Sequence, residues 1–126
     1  MKLLEAIVGE LTALKLGKPG KDLFHTFMPS QVRTGTLVLA RVAIENNAYT
    51  HLKRGTFQVV CRGDTPDAVY DKASSIAKAL KRERALVGQV DFQFIFPQHE
   101  PLVYPRTDAG QYEASVNYSF VASWEN

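Results

Sequence analysis

Apolar residues at Leu4, Ile7, Val8, Leu11 and Leu14 return every three or four positions, the spacing that places side chains on one stripe of an α-helix. The pattern predicts an amphipathic helix over about 2–16, ended by the Gly17-Lys18-Pro19-Gly20 turn. Glycine accepts the left-handed C-terminal position there, and proline cannot extend the helix. Residues 23–28 read as a short strand stopped by Pro29, and 36–45 as a longer β-leaning run, with 29–35 a polar loop between them. In 56–62, Phe57, Val59 and Cys61 share one parity and Gln58, Val60 and Arg62 the other, so the first set is expected to face a core. The segment 46–55 before it fits a hairpin with an extended tip.

The run Asp64-Thr65-Pro66-Asp67 is a helix start. Thr65 or Asp64 can cap the free amides, and Pro66 suits the first helical position because its missing N–H would be unpaired there. The helix is expected to reach about Arg82, with Val69, Ala73, Ile76, Ala77 and Leu80 on its buried stripe and Asp71, Lys72, Lys78 and Lys81 in water. Further on, Val90, Phe92, Phe94 and Phe96 alternate with Asp91, Gln93 and Ile95, which predicts a strand burying its three phenylalanines. Tyr112, Ala114, Val116, Tyr118, Phe120, Ala122 and Trp124 repeat the period of two. Between these strands, 97–110 is rich in proline and polar residues, and loops of that length are functional or order on binding.

Neither an internal repeat nor a dividing linker interrupts the chain, so residues 1–126 are expected to form one domain. Helix, strands, helix, strands is best satisfied by an α+β fold: a largely antiparallel, mixed sheet with both helices packed on one face, extended loops and a long hairpin.

Composition narrows the function classes. Hydrophobic residues make up 45% and charged residues 22%, ordinary values for a globular core. Fifteen Lys and Arg against thirteen Asp and Glu leave a charge of +2, short of the basic excess that general phosphate-backbone binding needs. Cys61 has no second cysteine to pair with, which fits a reduced site of synthesis. The apolar positions near the N-terminus are interrupted by Glu5, Glu10 and Lys15 and do not read as a signal peptide. No stretch approaches the roughly 20 apolar residues of a membrane span, so a soluble protein is expected.

Candidate chemistry is sparse. His25, His51, His99 and Cys61 hold the right atoms for zinc but lie in different elements without the short spacing of a structural site. Cys61 has core parity, where a thiol is inert. Glu100, Asp108 and Glu113 gather near the late loop and read as solvated carboxylates. Lys78, Lys81, Arg82 and Arg84 read as cations completing the second helix at the negative end of its dipole. Tyr104, Tyr112, Tyr118 and Trp124 could stack bases, yet three of them share a buried strand face. No catalysis, metal or cofactor is expected.

Several segments together carry a resemblance: Gly20-Lys21-Asp22-Leu23-Phe24 with Met28-Pro29, Arg54-Gly55-Thr56-Phe57-Gln58-Val59-Val60-Cys61-Arg62 leading into the second helix, Pro97-Gln98-His99-Glu100-Pro101-Leu102, and Glu113-Ala114-Ser115-Val116-Asn117-Tyr118. In this order, over nearly the whole chain, they resemble the small tail-terminator or tail-completion proteins of long-tailed bacteriophages, also labelled minor capsid proteins.

The resemblance implies a homo-oligomeric ring, commonly hexameric, on the head-proximal end of the tail tube. Such a ring stops tube polymerisation and offers a surface for the filled head. Its implied partners are further copies of itself, the tail tube protein and head–tail connector proteins. DNA would pass through the lumen without sequence-specific binding, and no membrane is involved. The implied location is the virion, at the head–tail junction, after synthesis in the host cytoplasm. Candidate interface residues are Lys21 and Asp22 before the first strand, Arg33 in the loop after it, Arg54 at the hairpin base, and His99, Tyr104 and Arg106 in the late loop. Competing readings are a head-side connector, stopper or adaptor, and a small nucleic-acid-binding module whose affinity would fall steeply with salt.

Overall fold

A computed structural model describes residues 2–125. Helix α1 spans Lys2–Ala13 and buries Leu3, Leu4, Ile7, Val8 and Leu11. It stops short of the predicted end, leaving Leu14 41% exposed. Lys15, at φ 61, takes the left-handed position expected of Gly17, while the Leu16 amide donates to Leu11 and the Lys15 amide to Thr12. That pair of bonds is a Schellman cap, which satisfies two carbonyls and turns Leu16 back against the core.

The strands follow as β1 (Leu23–His25), β2 (Gly35–Leu39), β3 (Glu45–Asn46) and β4 (Lys53–Gly63). Helix α2 (Pro66–Leu80) precedes β5 (Arg82–Val87), β6 (Val90–Pro97), β7 (Leu102–Val103) and β8 (Tyr112–Ser123). One open eight-stranded sheet runs β1-β2-β4-β8-β6-β5, with β3 extending the β2 row along β4 and β7 extending the β6 row along β8. Among the described strands, β1 and β2 alone pair in parallel. The β1 strand is shorter than predicted because Thr26, at φ 68, turns the chain out of it. The run 36–45 likewise splits into β2 and β3.

Both helices lie on one sheet face, as the α+β reading predicts. Ile7 and Leu11 of α1 and Val69, Ile76 and Leu80 of α2 share a core with Val38, Phe57, Val59, Val116 and Phe120, all of one strand parity. Phe57 stacks on Tyr118 with centroids 4.9 Å apart, and Phe92 meets Phe120 edge-on. Thr65 caps α2 by accepting from the Ala68 amide at 3.1 Å, with Pro66 opening the helix. Lys72 is half-buried rather than solvated, and its ammonium donates to the Leu16 carbonyl at 2.6 Å.

The largest departure is after α2. The basic run divides: Lys78 lies in the last turn of α2 and Lys81 at its C-cap, but Arg82 and Arg84 lie in β5, which forms a tight hairpin with β6 through Gly88 at φ 59. Arg82 still serves the helix end by donating to the Ala79 carbonyl, and it pairs with Glu10 of α1. Within β6 the register against β8 slips between Phe92 and Phe94. This bulge at Gln93 reverses the parity, so Phe92 and Ile95 are buried while Phe94 and Phe96 point out of the other face, contrary to the simple alternation.

Candidate assembly interface

The eleven-residue β4 strand spans the sheet, about 33 Å at ~3.3 Å per residue, and the candidate residues other than His99 divide between its ends. At the Gly63 end, the loop 29–35 is not a free projection. Arg62 donates from Nη1 to the Pro29 and Val32 carbonyls, both at 3.1 Å, and from Nε to Glu113 at 3.0 Å. Its side chain is 16% exposed and that of Glu113 27%, so Glu113 is a partly buried ion-pair partner rather than a solvated carboxylate. Gly35 sits close-packed where the loop rejoins the sheet: a Cβ there would lie 2.9 Å from Met28 Sδ and 3.0 Å from Val32, which would have to give way.

Asp22 also belongs to this end. Its carboxylate accepts from the Lys18 amide at 2.6 Å, and its carbonyl accepts from the Thr36 amide at 2.8 Å. These bonds close the turn before β1, with Lys21 exposed beside them. Arg33 pairs with Asp64 at 3.3 Å, each side chain more than 60% exposed, a contact worth little in water. The late segment 97–110 folds as β7 and a turn in which the Thr107 amide donates to the Gln111 carbonyl. Tyr104 lies back on the helix-free face, its hydroxyl 2.9 Å from Ser115 Oγ, and Arg106 is exposed before the turn.

His99 sits apart, beside the middle of β8. Its Nε2 accepts from the Asn117 amide at 3.2 Å and its Nδ1 lies 2.6 Å from the Glu100 carbonyl. The ring therefore carries its proton on Nδ1 and fills the place of a strand carbonyl between β6 and β7. Arg54 is at the opposite end, across from Glu45. The tip beyond it is a built turn: the Asn47 carboxamide oxygen accepts from the Tyr49 and Thr50 amides, leaving Tyr49 95% exposed. The structure thus gathers Lys21, Asp22, Arg33, Tyr104 and Arg106 at one end, and separates His99 and Arg54 from them.

The face of the sheet away from the helices carries what sequence reading missed. Phe94 is 36% exposed, Phe96 51% and Leu86 75%, and Val42 adds another exposed side chain near the β2–β3 connection. A groove runs between Phe94, Phe96 and Ser119 with Lys81 and Arg84 at its rim, and Lys81 Nζ lies 5.1 Å from the Phe96 ring centroid. A second depression shares Phe94 and Ser119 and reaches Val42 and Arg54. One signal was available: Ile95 belongs to the set assigned to water, and a branched aliphatic there argues for a parity change.

Burial pushes the Cys61 thiol up to about 11, despite an opposing interaction with Thr36, so at neutral pH it is a protonated core side chain. His25, His51 and His99 lie in different elements, and among the described residues no three His, Cys, Asp or Glu converge as metal ligands. Among the described residues, no helix is long and apolar enough to cross a membrane.

Comparison with known proteins follows the same outline. A family model described as bacteriophage tail terminator protein matches residues 10–124. A chain in the virion of a native gene transfer agent particle superposes with a TM-score of 0.73 at 12% identity, over 95% of this chain and 93% of that one. None of the curated proteins compared with the sequence matches it.

Proposed function

Because this chain belongs to the bacteriophage tail terminator family, in which its place is that of a structural component of a phage tail, we propose that it forms a ring, hexameric in the finished particle. This ring seats on the head-proximal end of the tail tube, ends tube polymerisation and presents the surface on which the filled head docks. The family match over residues 10–124 carries the reading. The fold suits it: a ring requires two different patches on each copy that meet head to tail, and this sheet is covered by helices on one face while the other exposes aromatic side chains. A net charge of +2 would let DNA pass through the lumen without being held there.

The test is electron microscopy of particles from producer cells lacking this protein. Filled, unjoined heads beside tails of uncontrolled, excessive length are expected. Free tails of normal length would instead indicate a head-side connector, and intact infectious particles would overturn both.

A further inference from the structure

Among the exposed surfaces of the described residues, two complement each other in charge. The first is the groove on the helix-free face of the β5–β6 hairpin, formed by Lys81, Arg84, Gln93, Phe94, Phe96 and Ser119. Two local irregularities build it. The slip at Gln93 turns Phe94 and Phe96 outward, and the left-handed Arg84, at φ 49, sits opposite that slip in β5. A bulge re-aims side chains as a built feature of a sheet and arginine at positive φ is uncommon, so their joint product, a cationic aromatic surface in water, calls for a use. Arg82 and Glu83 also line the groove; Arg82 is engaged by Glu10, so Lys81 and Arg84 are the groove cations an incoming group can pair with, against the one carboxylate of Glu83.

The second surface is the outward side of α2 around Tyr70, which is 39% exposed. Asp67 and Asp71 flank it at the spacing that keeps them on one side of a helix. Asp64 nearby is taken by Arg33. Asp67 and Asp71 are exposed on this helix, and the ion pairs among the described residues are made by Asp64, Glu113 and Glu10 instead.

We propose that the Tyr70 face of α2 of one copy docks in the Phe94–Phe96 groove of the next, with Asp67 and Asp71 opposite Lys81 and Arg84. This rests on the ring reading above and names the two patches that meet in it. Within one chain the patches cannot meet, because α2 covers one face of the sheet and the groove opens on the other. Different patches on opposite faces make the contact head to tail, the type that gives a ring when its rotation closes. Aromatic rings at the centre with charges at the rim is the usual anatomy of a protein–protein contact.

Charge swapping tests it. Lys81→Glu with Arg84→Asp makes groove and helix both acidic, and aspartate tolerates the left-handed site. Asp67→Lys with Asp71→Lys makes both basic. Each pair alone should raise the concentration for half-assembly, read by sedimentation velocity, at least about tenfold. All four changes together should restore assembly, as should a mixture of the two pairs. Circular dichroism and melting of each variant establish that it is folded, and Phe94→Ser with Phe96→Ser supplies a charge-independent check that should also weaken assembly.

Three results would overturn the contact while leaving the ring intact. In one, either pair assembles like wild type. In another, both pairs fail and the combined variant fails too. In the third, groove variants form rings that no longer bind tail tubes, which would give the groove to the tube protein. A wild-type chain that stays monomeric at every concentration, and also on tube ends, would overturn the ring itself.

Discussion

Tyr118 shows how much of this core is apolar packing rather than polar pairing. Its ring is stacked on Phe57, and its hydroxyl is buried without a hydrogen-bond partner among the described residues. An unpaired buried hydroxyl costs free energy that removing the oxygen recovers. Tyr118→Phe is therefore expected to raise stability by about 1 kcal/mol at pH 7, measured by urea unfolding. The same burial displaces the Tyr118 phenol upward from its ordinary 10.0, with the Cys61 charge adding to the shift, while Cys61 rises from 9.0 to about 11. Both groups are neutral when protonated, and a folded-state value above the unfolded one gives stability that is full below the unfolded value and lost as pH rises. Wild-type stability should fall from pH 9 upward, and Tyr118→Phe should remove the part of that fall beginning near pH 10 while leaving the Cys61 part. Burial of both residues was legible in the sequence from strand parity. The missing partner of the hydroxyl was not, because it depends on what the two helices bring over the ring.

At the scale of elements, local chemistry decides what the pattern of apolar residues leaves open. The start of α2 was readable because Thr65 and Pro66 each perform a function that few residues can. Thr65→Ala should cost about 1 kcal/mol, with Thr65→Ser near wild type in thermal unfolding. A loss much below that for alanine would mean that water serves the Ala68 amide equally well. The hairpin of β5 and β6 was not readable in the same way. Lys81, Arg82 and Arg84 suit a helix end as well as an edge strand, and Arg82 does serve the helix while belonging to the strand. The segment 97–110 looked like a loop for a related reason: β7 has two residues, and His99 replaces a backbone acceptor with a side chain, so no period of two develops. Of the candidate interface residues, charge and loop position identified Lys21, Arg33 and Arg106 as exposed. Sequence could not show that Asp22 and Tyr104 are held by the fold's own hydrogen bonds, nor that the Gln93 bulge exposes Phe94 and Phe96.

For the whole molecule the decisive property is asymmetry. One sheet face is spent on two helices and one core, the other presents aromatic side chains, and the candidate residues other than His99 fall at ends about 33 Å apart along β4. A scaffold of this kind can touch different neighbours at once without rearranging, which is what a terminating ring has to do. The ring reading makes a quantitative demand that a plug acting one chain at a time would not. If only the assembled ring arrests a tube, the active species grows as a high power of chain concentration near the assembly threshold, by mass action. When purified protein is added to polymerising tail-tube subunits, mean tube length in micrographs should stay long and then fall sharply over a narrow concentration range. The variant with Lys81→Glu and Arg84→Asp should need at least about tenfold more protein to reach that fall, with the four-fold charge swap returning it to the wild-type range. A gradual, hyperbolic shortening would mean that single copies stop the tube, and the ring would then follow tube capping rather than cause it.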